Sequence, residues 1–85
     1  MKLVLVEWVD SHSGKGWQPI EEIKKNSKLL YCRSVGWVAH EDYTCISLTP
    51  HLSGEKNDSI LVYVCGDITI PKKAVTKITV LRRYG

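Results

Sequence analysis

One segment of this 85-residue chain gathers residue types suited to anions and flat rings: Asp10-Ser11-His12-Ser13-Gly14-Lys15-Gly16-Trp17. Its glycines let backbone N–H groups approach an anion, Lys15 adds a point charge, and Ser11 and Ser13 donate hydrogen bonds. Trp17 offers an indole face on which a base or a nicotinamide-like ring stacks. The spacing is not that of a Walker loop, because Lys15 is followed by glycine and GxxxxGK[ST] is absent. The same residues also read as a flexible inter-strand loop with Trp17 tucked into the core. Trp37, which follows Gly36, is either a core plug or part of the same surface if it shares a side with Trp17. The candidate ligand-binding set is therefore Asp10, Ser11, Ser13, Lys15, Trp17 and Trp37.

Other chemistry finds weaker footing. Covalent or acid–base catalysis needs a nucleophile, a base and an orienting group brought together. Ser11 beside His12, and Cys65 near Asp67, are the local offers. Neighbours on an extended chain point to opposite faces, and so short a chain has little room to wall off a site. Cys32, Cys45, Cys65, His12, His40 and His51 include no CxxC or HxxxH spacing. The expectation is a non-enzymatic protein with no catalytic residues, no metal and no cofactor.

The elements that must position the loop are strands. Valine, isoleucine and leucine dominate the apolar residues, with three tryptophans, four tyrosines and no phenylalanine; branched and aromatic side chains suit a pleated surface. Residues 2–10 place Val4, Val6 and Trp8 on one face and Leu3, Leu5 and Val9 on the other, so both faces want cover, the second from another copy of the chain. Pro19, Glu21, Glu22, Lys24, Lys25 and Asn26 predict a helix of one or two turns, with Ile20 and Ile23 on one side. A second strand over 28–40 bends at Gly36, and a third runs over 43–49 to Pro50. HLSGEKNDS is a polar loop, and a fourth strand over 60–65 breaks at Gly66-Asp67. Ile68-Thr69-Ile70 continues to Pro71, a single helical turn follows, and a last strand over 76–81 carries Ile78 and Val80 inward. The whole, residues 1–85, reads as one domain: a mainly β, five-stranded SH3-like barrel with one short helix after strand 1 and a 3₁₀ turn before the last strand. An open α+β sheet with the helix on one face is the alternative.

Composition bounds the setting. At 44% hydrophobic the chain holds enough apolar residues to fold. It buries only about 60% of its unfolded surface, so a homo-oligomer is expected to supplement a thin core. The net charge of +3 suits anionic ligands but falls short of an obligate nucleic-acid binder. Its basic residues cluster at Lys24, Lys25 and Lys28, and at Lys72, Lys73, Lys77, Arg82 and Arg83. Three cysteines without a CxxC, a short opening apolar run broken by Glu7 and Asp10, and no membrane-length stretch suggest a cytoplasmic protein with reduced thiols.

Two resemblances add to this reading. Gly66-Asp67-Ile68-Thr69-Ile70-Pro71-Lys72-Lys73-Ala74-Val75 resembles the end of SH3-like barrels, where an isoleucine-proline step enters a 3₁₀ turn before the final strand. Run on to Ile78, it also looks like the closing strands of Sm-like proteins, which are ring-forming small barrels. Across nearly the whole chain, Val6-Glu7-Trp8-Val9-Asp10-Ser11, Gly16-Trp17, Ser34-Val35-Gly36-Trp37, Cys65-Gly66-Asp67 and Thr69-Ile70-Pro71-Lys72 resemble short bacteriophage and prophage proteins. That resemblance implies a viral origin and a role in the host-cell cytoplasm. The expected function is a counter-defence protein that sequesters a small, anionic, nucleotide-derived immune signal. A nucleic-acid-binding barrel and a module that inhibits a host protein are the alternatives.

Overall fold

The computed structural model describes residues 1–57 and 63–82. Residues 60–62 of the strand expected over 60–65, and Arg83 of the basic cluster, lie outside them. The described residues form seven strands in two antiparallel sheets, with one α-helix and one 3₁₀ turn. The strands are β1 (Leu3–Asp10), β2 (Leu30–Glu41), β3 (Cys45–Thr49), β4 (His51–Ser53), β5 (Tyr63–Cys65), β6 (Ile68–Pro71) and β7 (Val75–Val80). The main sheet has the order β6-β3-β2-β1-β7, and β4 pairs with β5 alone.

The core lies on one face of the main sheet. Val4 and Val6 of β1, Ile46 and Leu48 of β3 and Ile70 of β6 are buried, with Trp8, Val38 and Val75 packed against them. The alternation of β1 and β3 selects these residues. Trp8 keeps its indole at the rim, donating its N–H to the Ser34 hydroxyl at 3.0 Å. On the other face, Leu3, Leu5 and Val9 stay half-buried.

The sheet does not close into the expected barrel. Its edge strands β6 and β7 are joined by the 3₁₀ turn Lys72–Ala74 but are not paired along their lengths. Ile78 and Val80 share the core-side face with their register partners Val6 and Val4. On the uncovered edge they nevertheless remain 38% and 56% exposed, so the expected burial of Ile78 and Val80 is not reached, and it is the half-buried Val75 that packs against the core.

The irregularity in the pairing of β2 lies two residues past Gly36. Gly36 pairs regularly with Val4, and the β2–β3 register shifts instead between Val38 and His40. Gly36 serves close approach: a Cβ there would meet the Thr49 carbonyl oxygen at 3.0 Å and the Leu48 Cβ at 3.2 Å. A second shift separates Glu7 from Trp8 along β7, where the Thr76 hydroxyl donates to the Glu7 carbonyl at 3.0 Å.

The start of the predicted polar loop is a strand. Pro50 parts β3 from β4, and Gly66-Asp67 part β5 from β6, so one long hairpin is creased across two sheets. Gly66 takes φ +76°, and a Cβ on it would lie 3.3 Å from Pro50 Cγ. The Thr49 hydroxyl, on a fully buried residue, lies 3.0 and 3.1 Å from the His51 and Cys65 carbonyls, which share its single proton, and pins the crease.

At the opposite end, β1 and β2 pair as far as Asp10 and Leu30, beyond the reach of β7 and β3. This two-stranded ribbon carries the loop and helix α1 (Ile20–Asn26) outward as an arm. Pro19 caps α1 in an extended conformation, and its carbonyl accepts the Glu22 N–H at 3.0 Å. Glu21 and Glu22 occupy the first turn and Lys24 and Lys25 the last. Ser27 bonds back to the Ile23 carbonyl, and no residue of α1 is buried.

Candidate functional site

The arm holds a cleft of about 870 Å³. One wall is the loop, through Ser11, His12, Gly14, Gly16, Trp17 and Gln18; the other is the end of α1 and the following residues, through Ile23, Asn26, Ser27, Lys28 and Leu29. Gln18 steadies the first wall by donating its amide to the Lys15 carbonyl at 3.3 Å. The Asp10 carboxylate accepts the Ser11 N–H at 2.8 Å and sets where the loop leaves β1.

The six candidate residues fall into three groups. Ser11 and Trp17 line the cleft. Asp10 at the end of β1, and Ser13 and Lys15 in the same loop, contribute no lining surface. Trp37 lies seven residues along β2 from the arm's base at Leu30, roughly 23 Å away at strand rise. It pairs with Leu3 and Thr49 and is half-buried, so the two tryptophans are not brought together. Trp17 is fully exposed, at 104% of its reference surface, which overturns the reading that tucks it into the core. The helical wall was not among the sequence candidates. Asn26 was legible as the helix stop and Lys28 as part of a basic cluster, but nothing local says that α1 faces the loop.

The cleft combines an indole face, hydroxyls at Ser11 and Ser27, amides at Gln18 and Asn26, an imidazole at His12 and the ammonium of Lys28. It offers stacking and hydrogen bonding with positive charge. Its volume is within the range of sites for small ligands.

A second cluster sits at the β2–β3 turn. His40 Nε2, an Asp42 carboxylate oxygen and Cys45 Sγ lie within 4.8 Å of one another, although their spacing matches no familiar metal motif. The Asp42 carboxylate is engaged by the turn itself. Its Oδ1 accepts the Thr44 hydroxyl at 2.6 Å and the N–H groups of Thr44 and Cys45 at 2.8 and 2.9 Å, while Oδ2 meets His40 at 2.9 Å. The Thr44 hydroxyl first, then His40 and the two backbone N–H groups, hold the Asp42 carboxyl well below the usual carboxylate range. These bonds account for the cluster as a hairpin closure. All three cysteines are free thiols.

Among the described residues, the C-terminal basic residues do not form an uninterrupted cationic strip. Lys72 is paired with Glu41 at 2.7 Å, and Lys77 stands opposite Glu7, which also contacts Arg33 at 3.5 Å. Among the described residues, no helix is long and apolar enough to cross a membrane. No protein family, curated protein or solved structure matches this chain.

Proposed function

We propose that this chain is a non-enzymatic binding protein of bacteriophage origin that sequesters a small nucleotide-derived signalling molecule in the cleft of its arm. The observation that carries the reading is a fully exposed Trp17 on the wall of an 870 Å³ cleft that also presents Lys28, Ser11 and His12. A tryptophan in that position has no packing role in the single chain, and stacking on a base is worth about 1–3 kcal/mol. Lys28 supplies charge for a phosphate, and the amides of Asn26 and Gln18 suit the edge of a base. The nucleic-acid alternative is less favoured, because Glu41 and Glu7 interrupt the basic residues it would use.

Titration calorimetry against a panel of cyclic di- and trinucleotides and ADP-ribose derivatives tests the reading. Binding to at least one member, weakened by Trp17→Ala, is the expected result. No heat from any member would sink it. Native mass spectrometry of protein purified from cells adds a direct search for a retained ligand.

The fold supports a finer reading as well. Antiparallel order β6-β3-β2-β1-β7, with a 3₁₀ turn linking the two edge strands, suits an SH3-like barrel left open between β6 and β7. Amide contacts across those edges in nuclear Overhauser spectra would support closure in solution, and their absence would leave an open sheet.

A further inference from the structure

The arm is costly for a lone chain. Its seven-residue helix buries none of its own residues, yet isolated helices shorter than about 12–15 residues are marginal in water. Ile20 and Ile23, three apart on one side of α1, are 70% and 52% exposed, and Leu30 and Tyr31 at the base of the arm are also exposed. The chain has a radius of gyration of 17.3 Å and extends 59 Å along its long axis. A compact domain of this length has a radius near 12 Å. It exposes 7332 Å², whereas a compact monomer of its mass exposes about 5,100 Å². The excess, roughly 2,000 Å², exceeds the 800 Å² or so that each partner contributes to a standard stable interface.

We infer that the outer side of the arm, centred on Ile20 of α1 and lying outside the cleft, is the surface on which a second copy of this chain packs. A second copy fits the area argument, because assembly is how a small chain covers so much more surface than a compact monomer exposes, exposed apolar side chains of the arm included. Burial of α1 against that copy supplies the tertiary packing that the helix lacks within its own chain. The inference does not rest on the ligand reading. Ile20 lies outside the cleft lining, so the assembly and the binding site are separable by mutation.

Light scattering coupled to size exclusion tests it, with the wild type and Ile20→Glu measured from low to high micromolar concentration. The expected result is a multiple of 9.6 kDa for the wild type and a shift to 9.6 kDa for the variant, with an unchanged β-sheet circular-dichroism signal. Because α1 contributes nothing to the buried core, the variant is expected to fold. Hydrogen exchange on the wild type gives an independent reading, with protected amides in residues 20–26. A wild-type monomer throughout the range would overturn the inference. So would an Ile20→Glu variant that keeps the wild-type mass, or amides in α1 that exchange as fast as those of an unfolded peptide.

Discussion

The body of the main sheet and the arm obey opposite rules. In the body, Val4, Val6, Ile46, Leu48 and Ile70 are each at most 1% exposed, and every strand around them is fixed by register. In the arm, seventeen residues from Ser11 to Ser27 include none that is buried, and the same kinds of apolar side chain face water. Burial concentrates stability in a few positions of the body. Exposure leaves the arm free to present Trp17, Ile20 and Ile23 to something outside the chain. The two regions divide the labour between holding shape and making contact, and that division is open to test.

The sharpest contrast comes from matched truncations. Ile46→Ala is expected to cost about 2–5 kcal/mol, because it empties a fully enclosed position, and the urea midpoint should fall accordingly. Ile23→Ala, the same change in the arm, should leave the sheet of an isolated chain nearly unaffected. Equal losses at the two sites would erase the distinction. Next in size, Thr49→Val should cost about 1–3 kcal/mol by removing the hydroxyl proton that the His51 and Cys65 carbonyls share at the crease. Its denaturation curve should shift without a change in slope.

A smaller effect is expected at Asp42, which is exposed but closes the β2–β3 turn. Its carboxyl is depressed in the folded chain, so its contribution is present above the ordinary carboxylate range and disappears as pH falls toward the lowered value. The stability gap between wild type and Asp42→Ala should therefore be full at neutral pH and shrink below about pH 4. A gap that widens in acid would contradict the assignment. Smallest of all is Trp17→Ala, for which a shift within about 0.5 kcal/mol is expected in the unfolding of the sheet. The same substitution should weaken ligand binding by at least fivefold, the lower end of a stacking loss.

Much of the body was legible in the sequence because its signals are local. The alternation Val4, Val6, Trp8 marks the inner face of β1, and Ile46 and Leu48 mark that of β3. Pro19, the paired glutamates, the paired lysines and Asn26 bracket α1, and Ile70-Pro71 announces the 3₁₀ turn. What escaped depends on partners distant along the chain. The crease needs Pro50 and Gly66 to meet, so the segment after Pro50 read as a loop when its first residues are a strand. Gly36 was read as a bend; its tight approach to the backbone of Thr49, and the register shift just beyond it, both depend on the neighbouring strand. The cleft was half legible. Its loop wall announces itself by composition, whereas Asn26, Lys28 and Leu29 become a wall only when α1 faces the loop.

The creased hairpin also bears on how this molecule tolerates change in length. The β4–β5 ribbon leaves the body through two adjacent crossings at Pro50 and Gly66, locked by one hydroxyl. Residues grafted after Gly54 would ride on the ribbon's outer end and leave the pairings of the five-stranded sheet in step. That end of the ribbon is therefore the natural seat for an inserted reporter or affinity tag.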